Sequence, residues 1–168
     1  MTMRRLILMR HAKSSWSEPE QRDLDRPLNK RGRRSAALIA RWLKSNRYRP
    51  EHALVSNARR AQETWSRIVE KIGGTPTTYV PELYQADTAA ILAAVQRAPD
   101  VARLLVLGHQ PGIGSFARFI LEAAPTDAAF EKFPTGATAV IDFDATVWSE
   151  VALGSGRLHD FVVPRTLE

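Results

Sequence analysis

The chain contains no cysteine. This excludes a disulfide framework, a thiolate metal site and a thiol nucleophile, and it suits a reducing cytoplasm. Long hydrophobic runs are missing as well. The opening, MTMRRLILMRHAK, sets only four apolar side chains, Leu6 to Met9, between charges. That is too short for a signal peptide, and no later stretch approaches the ~18 apolar residues of a membrane span. A cytoplasmic protein that does not enter a membrane is expected. There is no internal repeat and no low-complexity linker, and 168 residues fit one domain, 1–168. Acidic residues are the minority, 18 against 24 Lys and Arg, which leaves a formal charge of +6 and favours anionic partners. Zinc-ligand spacing, a ribonucleoprotein-type aromatic motif and a long basic tail are all absent, which argues against nucleic acid. The arginines of NKRGRRSAALIARWLKSNRYR interleave with apolar residues and read as a solvated helix face.

What is present alternates strand and helix. The run 4–9 reads as a buried strand, and polar, proline-bearing 17–28 as a loop. Asn29 caps a helix over about 30–46. A strand at 52–56 precedes a helix over about 58–72 that stops at Gly73-Gly74. A strand at 76–80, a helix at 87–97 capped by Asp87, a strand at 103–108 and a helix opening in PGIGSFARFILEAA follow. The tail predicts two antiparallel strands, ATAVIDFD and WSEVALGSGRL, with a turn near Asp144-Ala145. This order predicts a three-layer α/β/α sandwich around a mostly parallel sheet.

In such a sheet ligands bind beyond the carboxyl ends of the strands. Three fragments fall there: MRHAKSSW, VSNARRAQET and LGHQPGIG. Together they supply Arg10, His11, an arginine from Arg59 or Arg60, and His109, with the small polar Ser14 and Ser15 behind the first histidine. Cations and imidazoles gathered without carboxylates repel one another unless an anion sits among them. Phosphate fits best, because guanidinium forks match its oxygens in pairs. A neutral imidazole can attack phosphorus and hold the phosphoryl group covalently, while the other cations neutralise the transition-state oxygens. No third histidine or carboxylate stands at metal-ligand spacing, so neither a metal nor another cofactor is expected.

These residues resemble the histidine phosphatase superfamily, also called phosphoglycerate mutase-like. Its R-H-G near the N-terminus is matched by Arg10-His11-Ala12, its R-P-L-x-x-x-G by Arg26-Pro27-Leu28 and Gly32, its S-x-x-x-R-A-x-Q-T by Ser56 to Thr64, and its G-H-x-P by Gly108 to Pro111. The set is most similar to the SixA-like phosphohistidine phosphatases. The resemblance implies that His11 is the nucleophile and that Arg60 rather than Arg59 binds phosphate with Arg10 and His109. Ala12 departs from the family's glycine, and Glu63 from its glutamine.

The departure with most consequence concerns the acid. Many members of the superfamily carry a glutamate in L-x-E that protonates the leaving oxygen, whereas PELYQAD places Gln85 there. Glu82 and Asp87 are the nearby substitutes. An alkoxide needs a positioned acid, worth about 10²–10⁴ in rate, whereas a phosphorylated imidazole leaves as a stable heterocycle. The expectation is a phosphatase working through a phosphohistidine intermediate on phosphohistidine in a protein. The alternatives are a phosphatase for small phosphorylated metabolites, or a phospho-ligand-binding module with little activity.

Overall fold

The computed structural model describes residues 3–168. Six strands form one sheet in the order β3-β2-β4-β1-β5-β6. They are β1 (Met3–Arg10), β2 (His52–Ser56), β3 (Thr77–Val80), β4 (Arg103–Gly108), β5 (Thr138–Asp144) and β6 (Arg157–Val162). The neighbours β3, β2, β4 and β1 are parallel, and β5 runs antiparallel to both β1 and β6. The helices are α1 (Lys30–Ser45), α2 (Arg59–Ile72), α3 (Thr88–Gln96), α4 (Gly112–Ile120) and the short α5 (Ala128–Lys132).

The unbroken apolar run of β1 is explained by burial on both faces. Alternate side chains point to opposite sides of a strand. Ile7 and Met9 pack with Ile39 and Leu43 of α1 and with Trp65 and Ile68 of α2. Leu6 and Leu8 join the other layer, with Val95 of α3, Phe116 and Ile120 of α4, and Phe130 of α5. Each of these four strand side chains is fully buried, and burying one such side chain contributes about 1.5–3 kcal/mol. The architecture is therefore the expected α/β/α sandwich. Asn29 and Asp87 cap α1 and α3 through side-chain acceptors to the Gly32 and Ala90 amides.

Strand order places the ligand crevice. The chain leaves β1 and reaches β2 on one side of β4, while after β4 it reaches β5 on the other side of β1. The carboxyl ends of β1 and β4 thus form the topological switch point, where open α/β sheets bind ligands.

The tail differs from expectation. The segment predicted as its second strand begins instead with a 3-10 turn at Trp148–Glu150, and the strand is Arg157–Val162. The Trp148 ring is buried and its indole N–H donates to the Val101 carbonyl at 2.7 Å, which ties the segment beneath the sheet. Gly154, at φ +75°, then turns the chain. The β6 pattern is unreadable as period two because its register slips against β5 between Val140 and Ile141. Leu158 and Phe161, three apart, both reach the core. Helix α5 was not anticipated.

Candidate active site

Arg10 pairs with Gly108 in the β1–β4 register, so the next residue or nearly so on each strand, His11 and His109, emerges at adjacent ends. Their ring centroids are 5.0 Å apart. The loop after His11 is held on three sides. The His11 amide donates to the Gly108 carbonyl, the Ala12 amide donates to Thr64 Oγ1 at 3.0 Å, and the Gly136 amide donates to the carbonyls of Arg10 and His11. Thr64 donates in turn to the Arg60 carbonyl, coupling this loop to the first turn of α2. Ala12 is fully buried against Leu28 and Ala36. Gly32 is required where α1 meets this loop: a Cβ there would lie 2.0 Å from the Lys13 carbonyl oxygen.

The register of α2 separates the two adjacent arginines. Arg60, Ala61, Thr64, Trp65, Ile68 and Ile72 form its buried face at helical spacing. Arg60 is 5% exposed and reaches the cavity. Arg59 faces out and bonds Glu63 at 2.9 Å. Glu63, at the family's glutamine position, also accepts the Leu28 amide at 2.8 Å, so it fastens the loop that leads into α1.

A cavity of about 280 Å³ opens between these elements. Four cations line it, Arg10, Lys13, Arg26 and Arg60, together with both histidines and Ser14. Among the described residues, no carboxylate does. One stands behind the wall: Asp23, in a 3-10 turn of the 17–28 loop, accepts from Arg60 at 2.9 Å, from Arg26 at 2.9 Å and from the Tyr84 hydroxyl at 2.6 Å. Its carbonyl takes the second Arg60 nitrogen at 2.6 Å. Burial alone would raise the Asp23 carboxyl, but the hydrogen bonds from Tyr84, Arg60 and Arg26 overcome it and hold the group well below the usual carboxylate range. Asp23 is therefore ionised and orients the two guanidiniums. Arg26 also donates to Ser14 Oγ and lies 3.5 Å over the exposed ring of Trp16 at the cavity mouth.

The imidazoles are neutral. Burial, aided by His109, Arg60 and Arg10, lowers the His11 pKa to about 3 against the opposing Ala12 hydrogen bond. Burial, with Arg60 foremost among the charges, lowers that of His109 to about 4. His11 Nδ1 lies 2.7 Å from the Ala12 carbonyl oxygen, an obligate acceptor, so Nδ1 carries the proton and Nε2 keeps its lone pair. His109 Nε2 lies 2.7 Å from Ser56 Oγ, which also accepts the Ala58 amide. When the Ser56 hydroxyl donates into Nε2, the His109 proton sits on Nδ1, a buried nitrogen that lacks a partner among the described residues. Arg10 Nε and Arg60 Nε are likewise unpartnered. The guanidiniums and imidazoles of these cavity-lining side chains suit an oxyanion.

Not every residue singled out above comes to this cavity. Ser15 bonds Ser17 through its hydroxyl and does not line it. Glu82 is exposed in the Pro81–Leu83 turn, and the Asp87 carboxylate is occupied capping α3. Gln85, at φ +57°, lines a neighbouring depression beside Pro111 and Gly112 that shares only Gln110 with the cavity. Asp23, Tyr84, Trp16 and Thr135 were missed. Asp23 and Arg26 do carry a faint signal, opposite charges three residues apart, but the link from Asp23 to Tyr84 spans 61 residues and leaves no local pattern.

Known proteins share this architecture. An uncharacterised protein of Mycobacterium tuberculosis (strain CDC 1551 / Oshkosh) is 37% identical over 163 residues, covering 94% of this chain and 100% of its own length. The phosphohistidine phosphatase SixA of Escherichia coli K12 is 28% identical over 143 residues, covering 83% of this chain and 85% of its own. The structure of the protein histidine phosphatase SixA complexed with tungstate superposes with a TM-score of 0.81 at 25% identity, covering 98% of this chain and 99% of that one. Residues 6–91 match the family model of the histidine phosphatase superfamily (branch 1), and by that match and these relatives the chain belongs to this superfamily of phosphatases with a histidine nucleophile.

Proposed function

We propose that the chain, 1–168 acting as one domain, hydrolyses phosphohistidine in a protein, with His11 as nucleophile. His11 Nε2 attacks phosphorus as the P–N bond to the substrate breaks. The leaving imidazole, already carrying a proton on its distal nitrogen, departs neutral. The phosphorylated His11 ring is cationic, and its Nδ1–H keeps donating to the Ala12 carbonyl, which stabilises that charge. Arg10 and Arg60 neutralise the equatorial oxygens, while His109 and the Ser14 hydroxyl add hydrogen-bond donors. Water then attacks phosphorus, passes its proton to solvent, and releases phosphate with neutral His11.

The observation that carries the substrate class is the lining of the cavity. Four cations and two neutral imidazoles surround it, and no protonated carboxyl reaches it. The developing charge on the equatorial oxygens is met, whereas an alkoxide leaving group finds no donor acid. A phosphoramidate such as phosphohistidine needs none. The names of the SixA relatives, and the tungstate that one of them binds, are in keeping with this reading. The test is a leaving-group series. Phosphohistidine peptides and nitrophenyl phosphate are expected to turn over, and alkyl phosphates such as phosphoserine to lag by about 10²-fold or more. Equal rates across the series would overturn the assignment and favour a metabolite phosphatase.

A further inference from the structure

A second groove of about 380 Å³ runs out from the catalytic cavity, and Lys13 and Thr135 line both. Its floor is apolar, built from the buried Val163 and Pro164 with Pro134 beside them. Its rim carries four exposed cations, Lys13, Arg31, Lys132 and Arg165. None of the four has a carboxylate partner among the described residues, as is also true of the exposed Arg34, Arg41 and Lys71, but only at this groove do four such cations ring an apolar floor beside the catalytic cavity. Among the described residues, Glu168 is the only acidic side chain lining the groove. The groove thus combines unspent positive charge with an apolar bed and starts where a phosphoryl group would sit.

We propose that this groove binds the acidic chain segment flanking the phosphohistidine of the substrate protein. The inference rests on the phosphohistidine reading above. A phosphohistidine side chain seated in the cavity leaves the substrate backbone at its mouth, where Lys13 and Thr135 stand. Extended chain advances about 3.3–3.6 Å per residue, so residues two to four positions away fall along the groove. Acidic side chains there meet the rim cations, and small apolar ones meet Val163 and Pro164. Single-stranded nucleic acid is the poorer fit, because such sites stack bases on aromatic side chains and this groove has none.

The test uses two synthetic peptides phosphorylated on one histidine, one flanked by glutamates and one by glutamines, with acetyl phosphate as a substrate too small to reach the groove. At low salt the wild-type protein is expected to favour the glutamate peptide about three- to tenfold in kcat/KM, mainly through KM, with the preference fading as salt is raised. The exposed double variant Lys132→Glu/Arg165→Glu, outside the catalytic cavity, is expected to abolish or reverse that preference while acetyl phosphate turnover stays unchanged. Equal kcat/KM for the two peptides in the wild type, or an undiminished preference in the variant, would overturn the groove's role and leave the phosphohistidine assignment standing. Failure to turn over either peptide while nitrophenyl phosphate is hydrolysed would overturn the assignment and the groove's role with it.

Discussion

The walls of the catalytic cavity and the segment next to them, 81–88, are built in opposite ways. The loops after β1 and β2 are cross-bonded at the cavity: Thr64 grips the Ala12 amide, Asp23 holds both Arg60 and Arg26, and the Phe133 carbonyl accepts from Arg10 at 3.1 Å. The 81–88 segment after β3 sends only the Tyr84 ring toward the site, edge-on to His109 at 5.5 Å, and turns Glu82, Gln85 and Asp87 elsewhere. On the proposed reading, rigid, oriented charge is invested where the phosphoryl oxygens would sit and none is supplied for a leaving atom, so that specificity follows the lability of the bond being broken.

The hardest test of the first region is removal of the proposed nucleophile. His11→Ala is expected to abolish turnover and to eliminate the acid-labile, base-stable phosphoryl label formed on the wild-type protein by a phosphohistidine peptide. A variant that retained both would move the nucleophile elsewhere. Next in size is the pair of adjacent arginines. Arg60→Ala removes a fork held by two bonds to Asp23 and is expected to lower kcat by about 10²–10³. Arg59→Ala breaks an exposed pair with Glu63, worth about 0–1 kcal/mol at most, and should change rate by less than about threefold. A larger loss from Arg59 would place the buried face of α2 one residue out of register with the chemistry.

The burial of the first region also has a thermodynamic signature. His11 and His109 titrate near 3 and 4 when folded, far below an ordinary histidine near 6.5. Between about pH 6.5 and 4 the unfolded chain therefore takes up protons that the folded one refuses. Stability is full above 6.5 and falls as pH drops through this window. His52, also lowered by burial, adds in the same direction. Thermal unfolding from pH 7.5 to 4.5 should show the loss, and His11→Ala should flatten the slope. An unchanged slope in that variant would mean that His11 is not buried as a neutral ring.

Much of this site is legible from sequence because its chemistry is tied to strand ends. Arg10-His11 and Gly108-His109 follow apolar runs that can only be strands buried on both faces. Arg60 is fixed by the spacing of Ala61, Trp65 and Ile68 once α2 is recognised. Residues that act through space leave no such trace: Asp23 lies in a polar loop whose pattern carries no period, and its partners are 37 and 61 residues away. Ser15 looks equivalent to Ser14 in the sequence, yet a β-bridge between Ser14 and Leu28 settles which of the two faces the cavity. Strand β6 was misplaced for a related reason, since its bulge removes the alternation that marks a strand.

The smallest expected effect belongs to position 85, and it is the sharpest probe of the contrast. Sequence alignment to the family's L-x-E puts Gln85 where an acid stands in many members, so Gln85→Glu looks like a way to restore alkyl phosphatase activity. The backbone argues otherwise. Gln85 adopts φ +57° and lines, with Ala86, Thr88, Pro111 and Gly112, a depression that meets the catalytic cavity at Gln110 but shares none of its cations. Gly112 packs so tightly under this segment that a Cβ on it would lie 1.8 Å from the Ala86 carbonyl oxygen, so the loop cannot shift toward His109 without unpacking the start of α4. A carboxyl placed there lines that depression rather than the cavity, whereas proton transfer needs hydrogen-bond distance to the leaving oxygen. Gln85→Glu is therefore expected to alter phosphoserine turnover by less than about threefold, against the roughly 10²-fold or greater gain that a positioned acid brings. A gain of that larger size, with the phosphohistidine rate unchanged, would show that the 81–88 segment does enter the site during catalysis and that the missing acid is a matter of residue type rather than of backbone placement.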